Sequence, residues 1–132
     1  EIMANYIFGL PGDDLESMQK TLDLSLELCT IGWNAYAAMA LPGSQLYKKA
    51  IIEGHKLPED YAGYSFHAYN TQPLPTKHLS AAEILKFRDE AFIKYHNYLP
   101  FLEKIEKKYG IIARDNIEKM TKVRLKRKLL GD

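Results

Sequence analysis

Met3-Ala4-Asn5-Tyr6-Ile7-Phe8-Gly9-Leu10-Pro11-Gly12-Asp13-Asp14 is the stretch on which the fold turns. Its first half, apolar except at Asn5, reads as a short buried strand. Pro11 and Gly12 then force a turn, and Asp13 or Asp14 is placed to cap a following helix, with capping-box spacing at Asp13-x-x-Glu16. From there to about Leu28 apolar residues recur every three or four positions, so Leu15, Met18, Leu22, Leu26 and Cys29 form the expected core face. Trp33 to Leu41 is a second apolar run. Its alanines would suit a helix, but its length and its flanks, Gly32 and Pro42-Gly43, favour a strand. Strand, helix, strand is a βαβ unit, whose crossover makes the strands parallel. Parallel sheets are covered on both faces, which suits two nearly unbroken apolar strands.

Working outward, Ser44 to Glu53 reads as a second helix stopped by Gly54. Residues 55–80 hold Pro58, Gly63, Pro73 and Pro75 and read as an irregular connector, within which Tyr64 to Tyr69 could form a short strand. Ser80-x-x-Glu83 is a full capping box. It opens the clearest helix of the chain, with Ile84, Phe87, Ala91, Phe92, Tyr95, Tyr98 and Leu99 on one face and Lys86, Asp89, Glu90, Lys94 and Asn97 on the other. Pro100 should end or kink it. A further helix runs from Phe101 to Tyr109, and a last one is expected from about Asp115 to Leu130. The chain thus divides into an α/β part over 1–54, a connector over 55–80 and a helical extension over 81–132.

The 132 residues are 46% hydrophobic and 27% charged, as in an ordinary globular domain. No apolar run is long enough to cross a bilayer, so no membrane partner is expected. The first residues carry no basic segment or small-residue cleavage site, which argues against a signal peptide. The single cysteine, Cys29, excludes an internal disulfide and fits a cytoplasmic setting. The net charge of +1 conceals a split: residues 1–54 carry three basic and seven acidic side chains, and residues 114–132 carry seven basic and three acidic ones. Lys122, Arg124, Lys126, Arg127 and Lys128 have no aromatic residues among them. That pattern favours a solvated helix face or a dock onto an acidic surface over nucleic-acid binding.

The four histidines show no metal-ligand spacing, and no residues suggest a Ser-His-acid triad, so no catalytic or metal-binding residue is assigned. Gly9 to Asp13 could be a ligand loop, since ligands of parallel α/β folds bind at the carboxyl ends of the strands. A tight turn with a helix cap accounts for the same residues. Arg88 falls in the middle of an apolar helix face, where it either snorkels to water or meets a carboxylate or carbonyl.

Two stretches carry a family resemblance. Asn5-Tyr6-Ile7-Phe8-Gly9-Leu10-Pro11-Gly12-Asp13-Asp14-Leu15-Glu16-Ser17-Met18 resembles the late-barrel segment of radical S-adenosylmethionine (SAM) enzymes, where a strand ends in Gly-Leu/Phe-Pro-Gly-Glu/Asp-Thr before a helix. Asn34-Ala35-Tyr36-Ala37-Ala38-Met39-Ala40-Leu41-Pro42-Gly43-Ser44-Gln45-Leu46-Tyr47 resembles the next strand and its Pro-Gly-Thr-x-Leu-Tyr turn. Order and spacing are similar to the fifth and sixth strands of that family's partial (β/α) barrel, in the subgroup of cobalamin-binding Fe-S oxidoreductases. The resemblance covers residues 1–54; the remainder is similar only in general to the helical C-terminal extensions of these enzymes.

The resemblance implies a fragment, namely the last barrel strands and the extension of a larger enzyme. The parent would use a 4Fe-4S cluster to cleave SAM reductively to a 5′-deoxyadenosyl radical, with cobalamin a further cofactor of the subgroup. The family's Cys-x-x-x-Cys-x-x-Cys motif is absent and would lie upstream of Glu1, so the chain alone is expected to hold no cofactor and to be inactive. The family's Gly-x-Ile-x-Gly-x-x-Glu pattern aligns with Asn5, Ile7, Gly9 and Gly12, of which Ile7 and Gly9 match. Ile7, Gly9 and, from the next strand, Ala40 are therefore the implied SAM-binding positions. The implied partners are the rest of the parent barrel and, for the isolated chain, further copies of itself. The alternative reading is a standalone, non-enzymatic α/β module that binds a partner or nucleic acid through a basic C-terminal helix.

Overall fold

Strand β1 (Met3–Phe8) pairs in parallel with β2 (Gly32–Ala37), in register from Met3 opposite Gly32 to Phe8 opposite Ala37. The crossover between them is helix α1 (Leu15–Leu28). The computed structural model describes residues 1–132. The fold is mixed α/β: the two-stranded parallel sheet is followed by helices α2 (Gln45–Ile52), α3 (Ala81–His96), α4 (Leu99–Tyr109) and α5 (Ile111–Met120). Short 3-10 turns lie at Tyr61–Tyr64 and Lys128–Leu130.

Strand alternation divides the sheet into two unlike faces. Phe8, Trp33, Ala35 and Ala37 join the main core with Met18 and Leu22 of α1, Ile84, Ala91 and Tyr95 of α3, and Phe101, Leu102 and Ile105 of α4. Trp33 stacks on Tyr95 with ring centres 5.0 Å apart, and the Tyr95 hydroxyl donates to the Thr30 carbonyl at 2.7 Å. A smaller core of Ala40, Ala50 and Leu74 holds α2 and the connector against the segment after β2. Residues 1–54 and 81–132 thus contribute to one continuous core.

The helix caps follow the local chemistry. Asp14, not Asp13, caps α1: its carboxylate accepts from Ser17 N at 2.8 Å, and Ser17 Oγ accepts from Asp14 N at 3.1 Å. Ser44 caps α2, and Ser80 with Glu83 forms the expected box on α3. Pro100 lies in the first turn of α4, where its missing N–H leaves no helical bond unmade.

Several expectations are corrected. Leu15 stands clear of the packing at 59% exposure, and Ser25 occupies the α1 core face instead, its hydroxyl donating back to the Leu22 carbonyl at 2.7 Å. β2 stops at Ala37 rather than Leu41. Gly9, at φ +81°, turns the partner strand away, so Ala38 N to Phe8 O at 2.8 Å is the last rung. Tyr64 to Tyr69 is not a strand: bonds from Ser65, Ala68 and Thr71 amides to the carbonyls three residues before them close the backbone into successive turns. On α3, Arg88 and His96 are buried while Leu99 is exposed and belongs to α4.

The last helix is α5, over Ile111–Met120, not 115–130. It starts directly after Gly110, at φ +86°, and the basic run that follows is not helical. A helix there would set Lys122 against Lys126 and Arg124 against Lys128 at repulsive i, i+4 spacing. The open chain instead carries Arg127 into the interior.

Candidate functional site

The second face of the sheet carries no helix. Met3 and Ile7 of β1 are exposed there, and Ile7 retains 47% of its surface. Asn5 joins the strands on this face by accepting from Asn34 Nδ2 at 3.1 Å and the Tyr36 hydroxyl at 3.4 Å. Phe66 of the connector packs on Tyr36 with ring centres 4.7 Å apart. Ile7 lies directly opposite Tyr36 in the register. The result is an apolar and amide-lined surface without a nucleophile or carboxylate, suited to a flat ring or another strand layer.

The two edges of the sheet also differ. Backbone groups of a parallel strand point alternately to its two neighbours. Gly32 N to Ile2 O and Ala38 N to Phe8 O fix the even residues of both strands as the paired set, so Met3, Asn5 and Ile7 direct their amides and carbonyls outward. No backbone bond reaches them. On β2 the outward Ala35 carbonyl is capped by Arg88 Nε at 2.8 Å.

At the carboxyl end of the sheet, the loop after β1 is closed upon itself. Gly9 N and Leu10 N donate to Asp13 Oδ2 at 3.0 and 2.9 Å, and Ser17 Oγ donates to Asp13 Oδ1 at 2.8 Å. These amides are therefore taken up by a carboxylate of the chain itself and do not form an open anion cradle. Gly9 is required twice over, by its positive φ and because a Cβ there would stand 2.6 Å from Ile84 Cγ2. Of the three implied positions, Ile7 presents a side chain to the bare face, Gly9 is buried in the loop and Ala40 is buried in the smaller core. All three lie at the same end of the sheet, but only Ile7 offers a side-chain surface.

On the far side of α3 lies a buried charge cluster that sequence reasoning saw only in part. Arg127, with no exposed surface, forms a bidentate pair with Asp89, Nε to Oδ2 and Nη2 to Oδ1 both at 2.9 Å, and donates to the Ala68 carbonyl at 3.0 Å. Arg88 Nη1 donates to the same Asp89 Oδ1 at 3.0 Å. The guanidinium of Arg88 thus has the carbonyl-and-carboxylate partners that were one of its two expected fates. Asp89, which helical periodicity places on the solvent face, is held here by both arginines; the only sequence signal for its role is the basic excess of the tail. His67 lies beside the cluster, and partial burial, then the Arg88 and Arg127 cations, hold its pKa below the usual histidine value.

His96 is enclosed by Trp33, Phe92, Tyr95 and Phe101, and that burial pushes its pKa down. Burial raises the Tyr95 phenol to about 12. Nowhere do three His, Cys, Asp or Glu side chains converge as a metal ion would require. Cys29 is buried at the end of α1 in a left-handed conformation. No helix is long and apolar enough to cross a membrane. No family model, curated protein or solved structure matches the chain.

Proposed function

We propose that the chain is the C-terminal part of a radical SAM enzyme, comprising its last two barrel strands and the helical extension. The observation that carries this reading is the asymmetry of the sheet. α1, α3 and α4 pack on one face, whereas the Ile7–Tyr36 face carries no helix, only Phe66 against Tyr36, and no backbone bond reaches the outer edge of β1. In a (β/α) barrel the helices lie outside, the bare face lines the interior and each strand edge meets the next strand. On β2 one outward group, the Ala35 carbonyl, is bound by the Arg88 side chain.

The residues present fit SAM only in part. Ile7, with Tyr36 beside it, offers a surface on which an adenine ring could lie. Gly9 would contribute shape rather than its N–H, which Asp13 already binds, and Ala40 only its backbone. In the parent, SAM and a four-iron cluster held by upstream cysteines would supply the reductive cleavage chemistry; this chain's residues would position the adenine end and seal the barrel. The rival reading, a basic helix that binds nucleic acid, loses its helix, since residues 121–127 form none.

The test begins with the reading frame upstream of Glu1, which should encode Cys-x-x-x-Cys-x-x-Cys after an earlier strand. Protein extended to include it, reconstituted anaerobically, should gain iron-sulfur absorbance and release 5′-deoxyadenosine from SAM under reduction. Ile7→Asp in that protein should weaken SAM binding. A frame without the cysteines, or an extended protein that neither takes up iron nor cleaves SAM, overturns the proposal.

A further inference from the structure

A cavity of about 480 Å³ lies between α3 and the C-terminal tail. Phe92, Ile93, Val123, Leu125 and Leu130 give it apolar walls, and Arg88 and His67 border it. The volume is that of a small-molecule pocket. Its charges do not cancel. At the rim Lys86 is matched by Glu90 at 3.9 Å and Arg124 by Asp132 at 2.6 Å. Deeper in, two guanidiniums, Arg88 on the wall and Arg127 buried behind it, share the single carboxylate of Asp89. One positive charge is left over in a largely desolvated place, where an unbalanced ion is costly.

The geometry shows where that charge is available. Arg127 uses all three of its guanidinium nitrogens on Asp89 and Ala68. Arg88 uses Nε and Nη1, and its Nη2 has no protein partner. Only 6% of Arg88 is exposed, yet Nη2 is not among the enclosed orphan atoms, which are Tyr6 OH, Trp33 Nε1 and Thr71 Oγ1. Its free donors therefore keep some exposure, and Arg88 is a lining residue of this cavity. A guanidinium with unused N–H groups on the wall of a largely apolar pocket is a receptor for a carboxylate that carries a hydrocarbon tail.

We infer that this cavity is a binding site for a small apolar carboxylate, its anionic head on Arg88 Nη2 and its tail along Phe92, Ile93, Val123 and Leu125. The inference is independent of the barrel reading, because the site lies across α3 and the tail, away from the bare face of the sheet. The tail is also part of the wall, so occupancy should hold residues 123–130 against α3.

The test titrates the chain with acetate, hexanoate, octanoate and, as a neutral counterpart, hexan-1-ol, following the Arg88 Nε–H and Ala35 amide resonances. Affinity should rise by about threefold to fourfold per added methylene, and hexanoate should bind at least about tenfold more tightly than hexan-1-ol. Val123→Trp fills the pocket from an exposed position; it should keep the wild-type melting temperature and lose hexanoate binding. Arg88→Gln keeps a donor for the Ala35 carbonyl and removes the charge, so hexanoate should then bind no better than hexan-1-ol. Equal binding of acid and alcohol by the wild type, no saturable shift with octanoate, or undiminished hexanoate binding by Val123→Trp each overturns the inference. The Val123→Trp and wild-type arms decide the question even if Arg88→Gln does not fold.

Discussion

Two arginines on the same carboxylate do different work. Arg127 is wholly buried and bonds through all three of its guanidinium nitrogens, so Arg127→Ala would leave the half-buried Asp89 carboxylate without its bidentate partner. The expected loss is about 3–5 kcal/mol, read from chemical denaturation. Arg88→Ala removes one carbonyl cap and one shared contact and should cost less, about 1–3 kcal/mol. An Arg127→Ala midpoint equal to wild type would mean that the tail is not seated in solution. His96 makes a second residue-scale prediction. Its folded pKa lies below the ordinary 6.5, so the unfolded chain binds the proton more readily. Its contribution is fully present above about pH 6.5 and declines as pH falls through that value toward the folded pKa. Midpoints measured between about pH 7 and about pH 5 should fall, and His96→Phe, which keeps the ring packing, should reduce the slope. His67 is shifted in the same sense, so part of the slope should survive. A slope unchanged by His96→Phe would exclude the ring as its source.

Elements whose ends are set by adjacent residues were readable in advance. β1 stops before Gly9, and α1, α2 and α3 start where Asp14, Ser44 and Ser80 cap them. Where a boundary depends on a distant segment, local reading failed. β2 ends because Gly9, on the other strand, turns its partner away. The basic tail leaves the helical path because Asp89, in α3, holds Arg127. Of the candidate site, Ile7, Gly9 and Ala40 come from the resemblance alone, and the closure of the Gly9 loop on Asp13 depends on side-chain geometry that no spacing rule expresses. The two loop glycines provide the element-scale test. Gly9→Ala meets both a positive φ and Ile84, and should destabilise by about 2–4 kcal/mol. Gly12→Ala meets nothing within 4 Å and has no positive φ, so its effect should stay within about 0.5 kcal/mol. Similar losses at both positions would show that the loop is not built as described.

For the whole molecule, the bare β1 edge is the dominant feature. Outward donors and acceptors at Met3, Asn5 and Ile7, beside exposed apolar side chains, form a template for another strand. The C-terminal helices cover only the opposite face and leave this one free. The isolated chain should therefore self-associate, with its mass in sedimentation equilibrium rising with concentration and the Met3, Asn5 and Ile7 amides gaining exchange protection in step. A constant monomer mass at high concentration, with those amides already protected, would show that the edge is covered within one chain.

The bond between Asp89 and Arg127 spans 38 residues, and it sets an order of events in time. As the chain is made, α3 and its carboxylate are available well before the arginine that completes them. Arg88, one residue away, can hold Asp89 in the meantime. Closure of so long a loop, held by Arg127 on Asp89 and Ala68 and by Lys128 N on the Tyr69 carbonyl, should come after the main barrier to folding, when the helices already lie on the sheet. Arg127→Ala should then leave the refolding rate close to wild type and appear almost wholly as faster unfolding in stopped-flow measurements. A variant that folds slowly but unfolds at the normal rate would place the tail in the nucleus instead. On this account the last residues of the chain act as a kinetic lock, governing how long the fold persists once formed.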